Sequence, residues 1–289
     1  MVGNLRILVS ATDYRVGKTS FIYVISQVLG IRFRYEKPSG MSELEKKFIE
    51  SDEGETLTFI EGGKKYKIGL TKNEGDTSIE VDKTILIARY VEDVFDEITL
   101  ASRVLSNIKA IIINEIPENE MENIREGVDK SDLNIVGLIP YDKFLGGTYI
   151  KSVRDYLDGV FLTKPDENFI MEEMLVGAMS PSCAIRWLEK VKNAGLVTGG
   201  DRVDLQKLAL DTGIKCLILT GNFEPPQIIV KRAEELGVCI ILTESDTLTA
   251  VEKISQIMRE EISEQKKDKL VEIFKRNIDL EKLEEILKY

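Results

Sequence analysis

The sequence predicts an α/β protein in which a doubly wound parallel sheet is followed by a second, smaller α/β domain and a C-terminal amphipathic helix. Short runs rich in Val, Ile and Leu alternate with segments of helical periodicity, the pattern of a parallel sheet covered by helices. The alternation restarts after a polar stretch at 163–166, and from Val251 onward apolar residues recur at helical spacing among many charges. We therefore expect three parts, at residues 1–163, 164–258 and 259–289.

The first part reads as strand and helix in turn, with one interruption. Segments 56–60 and 65–70 have strand character and are joined across Gly62-Gly63, which indicates a hairpin. We interpret this hairpin as an insertion at the sheet edge or a contact surface. The other predicted strands are 5–9, 31–35, 84–88, 108–113 and 134–139, and the predicted helices are 21–29, 41–51, 91–105 and 121–128.

The second part opens on Ser180-Pro181, where a cap residue followed by proline marks the start of a helix. The predicted helices are 181–193, 205–210 and 227–236, the predicted strands are 195–197, 215–219 and 238–242, and a helical piece at 152–157 and a strand at 160–162 come before the linker. The apolar stripe of the C-terminal helix needs a partner, which is either this protein's own domains or a second subunit.

Composition excludes several classes of chemistry. The 289-residue chain has no histidine, which rules out Ser-His-Asp and Cys-His catalysis and histidine-ligated metals. Its net charge of −11 argues against phosphate-driven binding of nucleic acid. Cys183, Cys216 and Cys239 lie in apolar patterns, so we expect buried, reduced thiols. No apolar run reaches the roughly 18 residues of a membrane span, and no leader precedes the first strand, so we expect a cytoplasmic protein without membrane contact.

The segment between the first predicted strand and helix is typical of a phosphate-binding loop. In such a loop Gly17 allows close backbone approach, Lys18 contacts the β- and γ-phosphates, and the Thr19 hydroxyl ligates Mg²⁺. The N-terminus of the following helix adds positive potential. Thr12, however, stands where the generic pattern has its first glycine. An ordinary strand-to-helix turn with an exposed lysine is therefore the alternative.

Three strands of the second part end in threonine followed by glycine or polar residues. Because the carboxyl ends of parallel strands share one edge, these residues would form a polar rim suited to a small ligand or an anion. The alternative is that they make only tight turns and helix caps, as the position of Asp246 before a helix indicates. The predicted rim residues are Thr198, Gly199, Gly200, Asp201, Arg202, Thr220, Gly221, Asp246 and Thr247.

The first half resembles dethiobiotin synthetase at four places. Residues 11–19 are similar to that family's loop, Gly-Thr-Asp-Thr-x-Val-Gly-Lys-Thr, which has threonine at the position of Thr12. Glu36-Lys37-Pro38 resembles the Lys-Pro that follows the family's second strand, 113–117 its adenine-recognising asparagine motif, and 137–140 its Gly-x-Ile-Pro turn. The resemblance implies ATP or a related nucleotide with Mg²⁺. The implied nucleotide-binding residues are Thr12, Asp13, Tyr14, Arg15, Val16, Gly17, Lys18, Thr19, Ser20, Asn114 and Pro140, and Lys18 and Lys37 are the catalytic candidates if the protein is an enzyme.

The second half resembles the DRTGG domain, in segments 176–181, 197–202, 217–221 and 242–249. A dethiobiotin-synthetase-like domain followed by DRTGG is similar to the N-terminal regulatory region of long bacterial phosphotransacetylases, and the resemblance extends to about residue 258. It implies a regulatory protein with a second small-molecule effector at the rim, and we expect a homo-oligomer. No room remains for the catalytic phosphotransacetylase domain, so acetyl transfer is not expected.

The departures from dethiobiotin synthetase concern the metal. That family's metal-binding glutamate would fall within 87–90, where the chain has Ile-Ala-Arg-Tyr and no acid until Glu92. Its second metal-binding acid would fall near Ser51-Asp52-Glu53. Loss of metal ligands weakens phosphoryl chemistry more than nucleotide binding.

Three functions are therefore compatible with the sequence. The first is a nucleotide-binding regulatory or sensor protein. The alternative is an ATP-dependent ligase or cyclising enzyme like dethiobiotin synthetase or the cobyrinate amidases, in which Lys18 and Mg²⁺ stabilise the transferred phosphoryl group and Lys37 clamps the activated carboxylate or carbamate. The second alternative is an interaction module without a ligand, which would use the 65–70 strand and the C-terminal helix as contacts.

Overall fold

The chain forms two α/β units in a computed structural model. The structure describes residues 5–13, 16–36, 57–61, 81–166, 168–258 and 264–288. The first unit comprises Met1–Tyr141 together with Ile262–Tyr289, and the second comprises Asp142–Glu261. None of the described helices is long and apolar enough to span a membrane.

The first unit contains a six-stranded sheet in which every neighbouring pair is parallel, in the order β2-β3-β1-β4-β5-β6. Its strands are β1 (Leu5–Ala11), β2 (Arg34–Glu36), β3 (Leu57–Glu61), β4 (Lys83–Arg89), β5 (Ile108–Ile116) and β6 (Ile135–Pro140). Its described helices are α1 (Lys18–Leu29), α2 (Val94–Val104) and α3 (Met121–Asp129), with a single 3₁₀ turn at Glu118–Glu120.

The strand order reverses at β1. After β1 the chain passes to β2 and β3 on one side of it and then crosses to β4 on the other side. β1, β4 and β5 are almost continuously apolar and buried because both of their faces are covered. A reversal of this kind opens a crevice at the carboxyl ends of the strands, where ligands bind in open α/β sheets.

The interpretation of the predicted hairpin as an edge insertion is wrong for its first strand. β3 lies inside the sheet, between β2 and β1, and pairs in parallel with both. Phe59 and Ile60 are buried there, and Phe59 contacts Phe33 edge to face. Burial on both faces favours a central position over an edge. The helix predicted at 41–51 and the strand predicted at 65–70 lie outside the described residues.

The C-terminal helices pack on the first unit. They are α10 (Glu264–Asn277) and α11 (Leu280–Leu287), and α10 contacts α1 and β6. Ile278 forms a β-bridge with Gly137, and Asp279 caps α11 by accepting a hydrogen bond from the Lys282 N–H. Lys83 Nζ donates to the carbonyl oxygens of Ile286 and Lys288, at 2.8 and 2.6 Å. The apolar stripe therefore finds its partner within this chain.

The second unit contains a five-stranded sheet in the order β10-β11-β12-β13-β8, in which only β8 is antiparallel to its neighbour. Its strands are β8 (Val160–Phe161), β10 (Glu173–Val176), β11 (Ala194–Gly199), β12 (Cys216–Thr220) and β13 (Cys239–Leu242), and β7 (Thr148–Tyr149) pairs with β9 (Ile170–Met171). Its helices are α4 (Lys143–Gly146), α5 (Ile150–Tyr156), α6 (Pro181–Leu188), α7 (Val203–Thr212), α8 (Gln227–Leu236) and α9 (Thr247–Ile257).

Three features of this unit differ from the sequence interpretation. β10 is an additional strand, missed because only four residues pair and they are half-buried or exposed. The strand predicted at 160–162, placed there before the linker, pairs with β13 in the second sheet. Cys183 is exposed on α6, whereas Cys216 and Cys239 are buried as expected and all three are free. Burial, together with the neighbouring Cys239 thiol, raises the pKa of Cys216 well above its usual range.

Candidate functional site

The predicted phosphate loop starts where β1 ends, against β4. The Thr12 N–H donates to the Ile87 carbonyl at 3.1 Å, and the Thr12 hydroxyl accepts a hydrogen bond from the Arg89 N–H at 3.2 Å. Thr12 is buried. A glycine at this position would lack the hydroxyl, so threonine here ties the first residue of the loop to the neighbouring strand.

Gly17 carries the turn into α1. Its φ of +90° lies in the left-handed region, which suits glycine, and it occupies the N-cap position without a side-chain oxygen to offer. A Cβ there would lie 3.0 Å from the Asn114 side-chain nitrogen. Lys18 is the first helical residue and its side chain is buried, while Thr19 and Ser20 continue the first turn. The loop therefore delivers the N-terminus of α1 to the carboxyl edge of the sheet.

Asn114 holds the loop from two strands away. Its side-chain amide donates to the Val16 carbonyl at 2.9 Å, and its own carbonyl accepts a hydrogen bond from the Tyr90 N–H at 2.9 Å. Val16 is fully buried. The ends of β1, β4 and β5 are thus joined at one point of the crevice. Adenine recognition by Asn114 stays a prediction.

Arg89 is a residue of this edge that the sequence interpretation did not assign to the site. Its Nε lies 3.0 Å from Glu115 Oε2 and its Nη1 lies 3.6 Å from Asp13 Oδ2. All three side chains are partly buried, with exposed fractions of 20% for Arg89, 21% for Glu115 and 32% for Asp13. A signal was available, because the polar pairs Arg-Tyr and Asn-Glu end two otherwise apolar strands.

Glu115 has an unusual backbone. Its φ is +62°, and the pairing of β5 with β6 is irregular between Ile113 and Ile116. A left-handed conformation costs a residue with a side chain about 1–2 kcal/mol. Residues held in this way cluster at ligand-binding and switch sites. The Glu115 carboxylate contacts Arg89 from this irregular position.

Tyr90 follows Arg89 at the end of β4. Partial desolvation, followed by the negative charges of Glu120 and Glu92, raises the pKa of its phenol above the usual value.

The remaining predicted nucleotide residues are more scattered. Pro140 ends β6 and pairs with Ile116 across the irregular end of β5. Tyr14, Arg15 and Lys37 lie outside the described residues. Their roles stay predictions.

Two carboxylates at this edge are of the kind that binds Mg²⁺, but both are engaged. Mg²⁺ is usually bound through one or two carboxylates together with substrate phosphates. Here Asp13 and Glu115 flank the Arg89 guanidinium, which fills the place between them with positive charge. While they contact Arg89, these two carboxylates do not fit a Mg²⁺ ion. Thr19 as a metal ligand stays a prediction.

The second-unit rim brings three of its predicted threonines together. Thr220 Oγ1 lies 2.8 Å from Thr247 Oγ1 and 3.3 Å from the Thr198 carbonyl, to which it donates. The hydroxyl oxygen of Thr198 is buried and makes no hydrogen bond within the described structure. Gly221 continues the turn after β12 with φ +79°, and its N–H donates to the Ser245 carbonyl. The strand ends thus form a connected polar rim.

The turn after β11 is closed by Gln206. Its side-chain nitrogen donates to the Gly200 carbonyl at 2.9 Å from a fully buried position. A Cβ on Gly200 would lie 1.9 Å from the Phe223 carbonyl oxygen, so only glycine fits between the β11 and β12 turns. Gly199 ends β11 directly before this contact.

Arg202 and Asp201 follow this turn. Arg202 Nη2 donates to the Met179 carbonyl at 3.0 Å, and its Nε lies 3.3 Å from Asp204 Oδ1. A hydrogen bond from the Leu205 N–H, aided by Arg202, lowers the pKa of Asp204. Arg202 therefore braces the segment after β10 against the start of α7. Asp201 lies inside this turn, which is closed by a hydrogen bond from the Arg202 N–H to the Gly199 carbonyl.

Large apolar side chains surround the rim. Met179, Phe223 and Leu248 each follow a strand end and are exposed by 46%, 60% and 68%. A polar floor with an apolar border is the composition of many small-molecule sites.

Asp246 is a helix cap with a measurable pH signature. The Thr249 hydroxyl and then the Thr249 N–H donate to its carboxylate and lower its pKa. A lowered pKa in the folded state stabilises the protein above the ordinary value of about 4, and this stabilisation is lost as the pH falls through the folded value. We expect Asp246→Ala to lower the melting temperature at pH 7 and to have a progressively smaller effect as the pH falls below the ordinary value of about 4.

Thermal unfolding of both proteins at several pH values measures this difference. Asp211→Ala, on the exposed end of α7, serves as the control for removing one surface carboxylate. Equal destabilisation at pH 7 and pH 3 would show that the carboxylate charge does not stabilise the cap.

Comparison with known proteins identifies the second unit. Residues 152–257 match the model of the DRTGG domain, so the DRTGG resemblance is confirmed. A crystal structure of the CBS and DRTGG domains of the regulatory region of Clostridium perfringens pyrophosphatase, in complex with its activator diadenosine tetraphosphate, is similar over 50% of this chain and 71% of that chain. The identity is 19% and the TM-score is 0.37.

Proposed function

We propose that this DRTGG-containing protein is a nucleotide-binding regulatory or sensor protein. In this proposal the first unit is a doubly wound P-loop domain that binds ATP or a related adenine nucleotide at residues 12–20. The carrying observation is the hydrogen bond from Asn114 to the Val16 carbonyl. It fixes the loop from the far side of β4 and directs the start of α1 into the crevice where the strand order reverses.

The physical argument rests on phosphate chemistry. Backbone N–H groups at a helix N-terminus and the positive end of the helix dipole both favour an anion. Gly17 leaves the approach open, and Lys18 stands at the first helical position. The whole chain carries a net charge of −11, so an anionic ligand needs such local donors.

The second unit would respond to the first or bind its own effector. The rim at Thr198, Thr220 and Thr247 supports this part of the proposal through its linked hydroxyls. The buried, unpartnered Thr198 oxygen could accept or donate one further hydrogen bond to a small molecule. We also propose that the protein is related to the regulatory region of phosphotransacetylases.

Binding is favoured over turnover by the ion pairs at the edge. Phosphoryl transfer requires metal or equivalent positive charge held in place during reaction. Among the residues that the structure describes, the acids Asp13 and Glu115 at this edge are paired with Arg89. We therefore favour a regulatory function over a catalytic one.

Isothermal titration of the 289-residue protein with ATP, ADP, AMP and GTP, each with and without Mg²⁺, tests the proposal. We expect an adenine nucleotide to bind with a Kd in the micromolar range or tighter. At a nucleotide concentration of 100 Kd, the folded state should gain about 2.7 kcal/mol. Absence of binding by every nucleotide would refute the proposal, and rapid phosphate release from ATP would favour the enzymatic alternative.

A further inference from the structure

We propose that Arg89 supplies the positive charge that a metal ion would otherwise bring to the phosphates of the bound nucleotide. The inference rests on the proposed function. Arg89 ends β4, the strand next to β1 at the reversal of strand order, and its N–H is bonded to the Thr12 hydroxyl. The guanidinium is therefore attached to the same edge as the phosphate loop.

The ion pairs of Arg89 show what the guanidinium replaces. It lies between Glu115, at 3.0 Å, and Asp13, at 3.6 Å, which belong to different strand ends. Two carboxylates converging from separate elements form the oxygen set that would attract a divalent cation. In this protein an arginine of the fold occupies the centre of that set. The positive charge between the two carboxylates therefore comes from the Arg89 side chain.

Incoming phosphate would compete with these carboxylates. A guanidinium presents five N–H donors in a planar fork that matches phosphate as well as carboxylate. Arg89 could therefore exchange its contact with Asp13, which is the longer of the two, for a phosphate oxygen without leaving the edge. Glu115 would retain the guanidinium in register through its Nε contact.

The backbone conformation of Glu115 supports a functional role for the ion pair between Glu115 and Arg89. Its φ is left-handed, the pairing of β5 with β6 is irregular around it, and its carboxylate contacts Arg89. Conformations of this kind are retained where the surroundings impose them, typically at sites that bind or switch. Glu115 is thus a positioning residue, and Arg89 is the phosphate-contacting residue.

The test measures ATP affinity in EDTA and in excess Mg²⁺ for four proteins. The wild type is expected to bind ATP in EDTA within about threefold of its affinity in Mg²⁺. Arg89→Gln is expected to bind ATP at least tenfold more weakly in EDTA, the loss of one charge-assisted contact, and to regain affinity when Mg²⁺ is added. Glu115→Gln leaves the guanidinium in place without its competitor, so its affinity in EDTA should equal or exceed that of the wild type.

Arg103→Gln is the matched control, because it removes the same charge from an exposed site on α2. It should leave the affinity unchanged. If wild-type binding falls more than tenfold in EDTA, or if folded Arg89→Gln binds ATP in EDTA as tightly as the wild type does, the inference is overturned and the proposed function stands. If no nucleotide binds under any condition, both are overturned. The comparison of the wild type in EDTA and Mg²⁺ needs no variant, so misfolding of Arg89→Gln cannot obscure the result.

Discussion

Replacing Gly200 with alanine is expected to lower the free energy of unfolding of the second unit by about 3 kcal/mol, the upper range for forcing an extra group into a filled space. The new Cβ would lie 1.9 Å from the Phe223 carbonyl oxygen, and backbone cannot move aside as a flexible side chain can. The turns after β11 and β12 would have to separate. That separation would also strain the hydrogen bond from Gln206 to the Gly200 carbonyl.

Denaturant unfolding followed by tryptophan fluorescence measures the stability of the second unit. Trp187 is the single tryptophan of the chain and lies on α6, in the second unit. Gly237→Ala is the matched control, because Gly237 has a left-handed φ of +64° but nothing within 4 Å of a new Cβ. It should cost about 1–2 kcal/mol, the backbone strain alone. Equal losses for the two variants would contradict the close approach at Gly200.

Much of the fold follows from local pattern. Helix α8 was predicted at its observed bounds, 227–236, because its apolar periodicity is bounded by proline before and glycine after. Asp246 was predicted as a cap and accepts the expected hydrogen bond from the Thr249 N–H. Caps are readable because their chemistry is local.

The order of the strands in the sheets was harder to predict from the sequence. The insertion of β3 between β2 and β1 depends on long-range pairing, for which the sequence of either strand carries no direct signal. β10 was missed because a short, half-exposed strand lacks both the apolar run and the alternation that mark longer strands.

Part of the candidate site could likewise be predicted from local sequence, and part could not. The loop could be found because Gly17-Lys18-Thr19 are consecutive and each has a chemical reason to be there. The Arg89 pairs with Asp13 and Glu115 join residues 76 and 26 positions apart. Only the arrangement of β1, β4 and β5 brings them together. The sequence had shown that a metal-binding acid was missing near Arg89, but not that the arginine itself sits between two acids.

Lys18→Met is expected to weaken ATP binding by about 100-fold, near the upper range for a hydrogen bond to a charged group. Methionine keeps an unbranched side chain at a buried helical position while removing the charge. The loss should appear both in Mg²⁺ and in EDTA, because the lysine would contact phosphate directly. Isothermal titration of the folded variant measures it.

Lys109→Met is the matched control, because Lys109 lies near the start of β5, on the opposite edge of the same sheet, and is exposed. It removes the same charge from the same unit, so it separates a local phosphate contact from a general change in electrostatic potential. A large loss with Lys18→Met and none with Lys109→Met would place the phosphates at the start of α1. Comparable affinities for the two variants would mean that a nucleotide, if bound, lies elsewhere. In that case the buried lysine would only fill the strand-to-helix turn, which is the alternative that the missing first glycine raised.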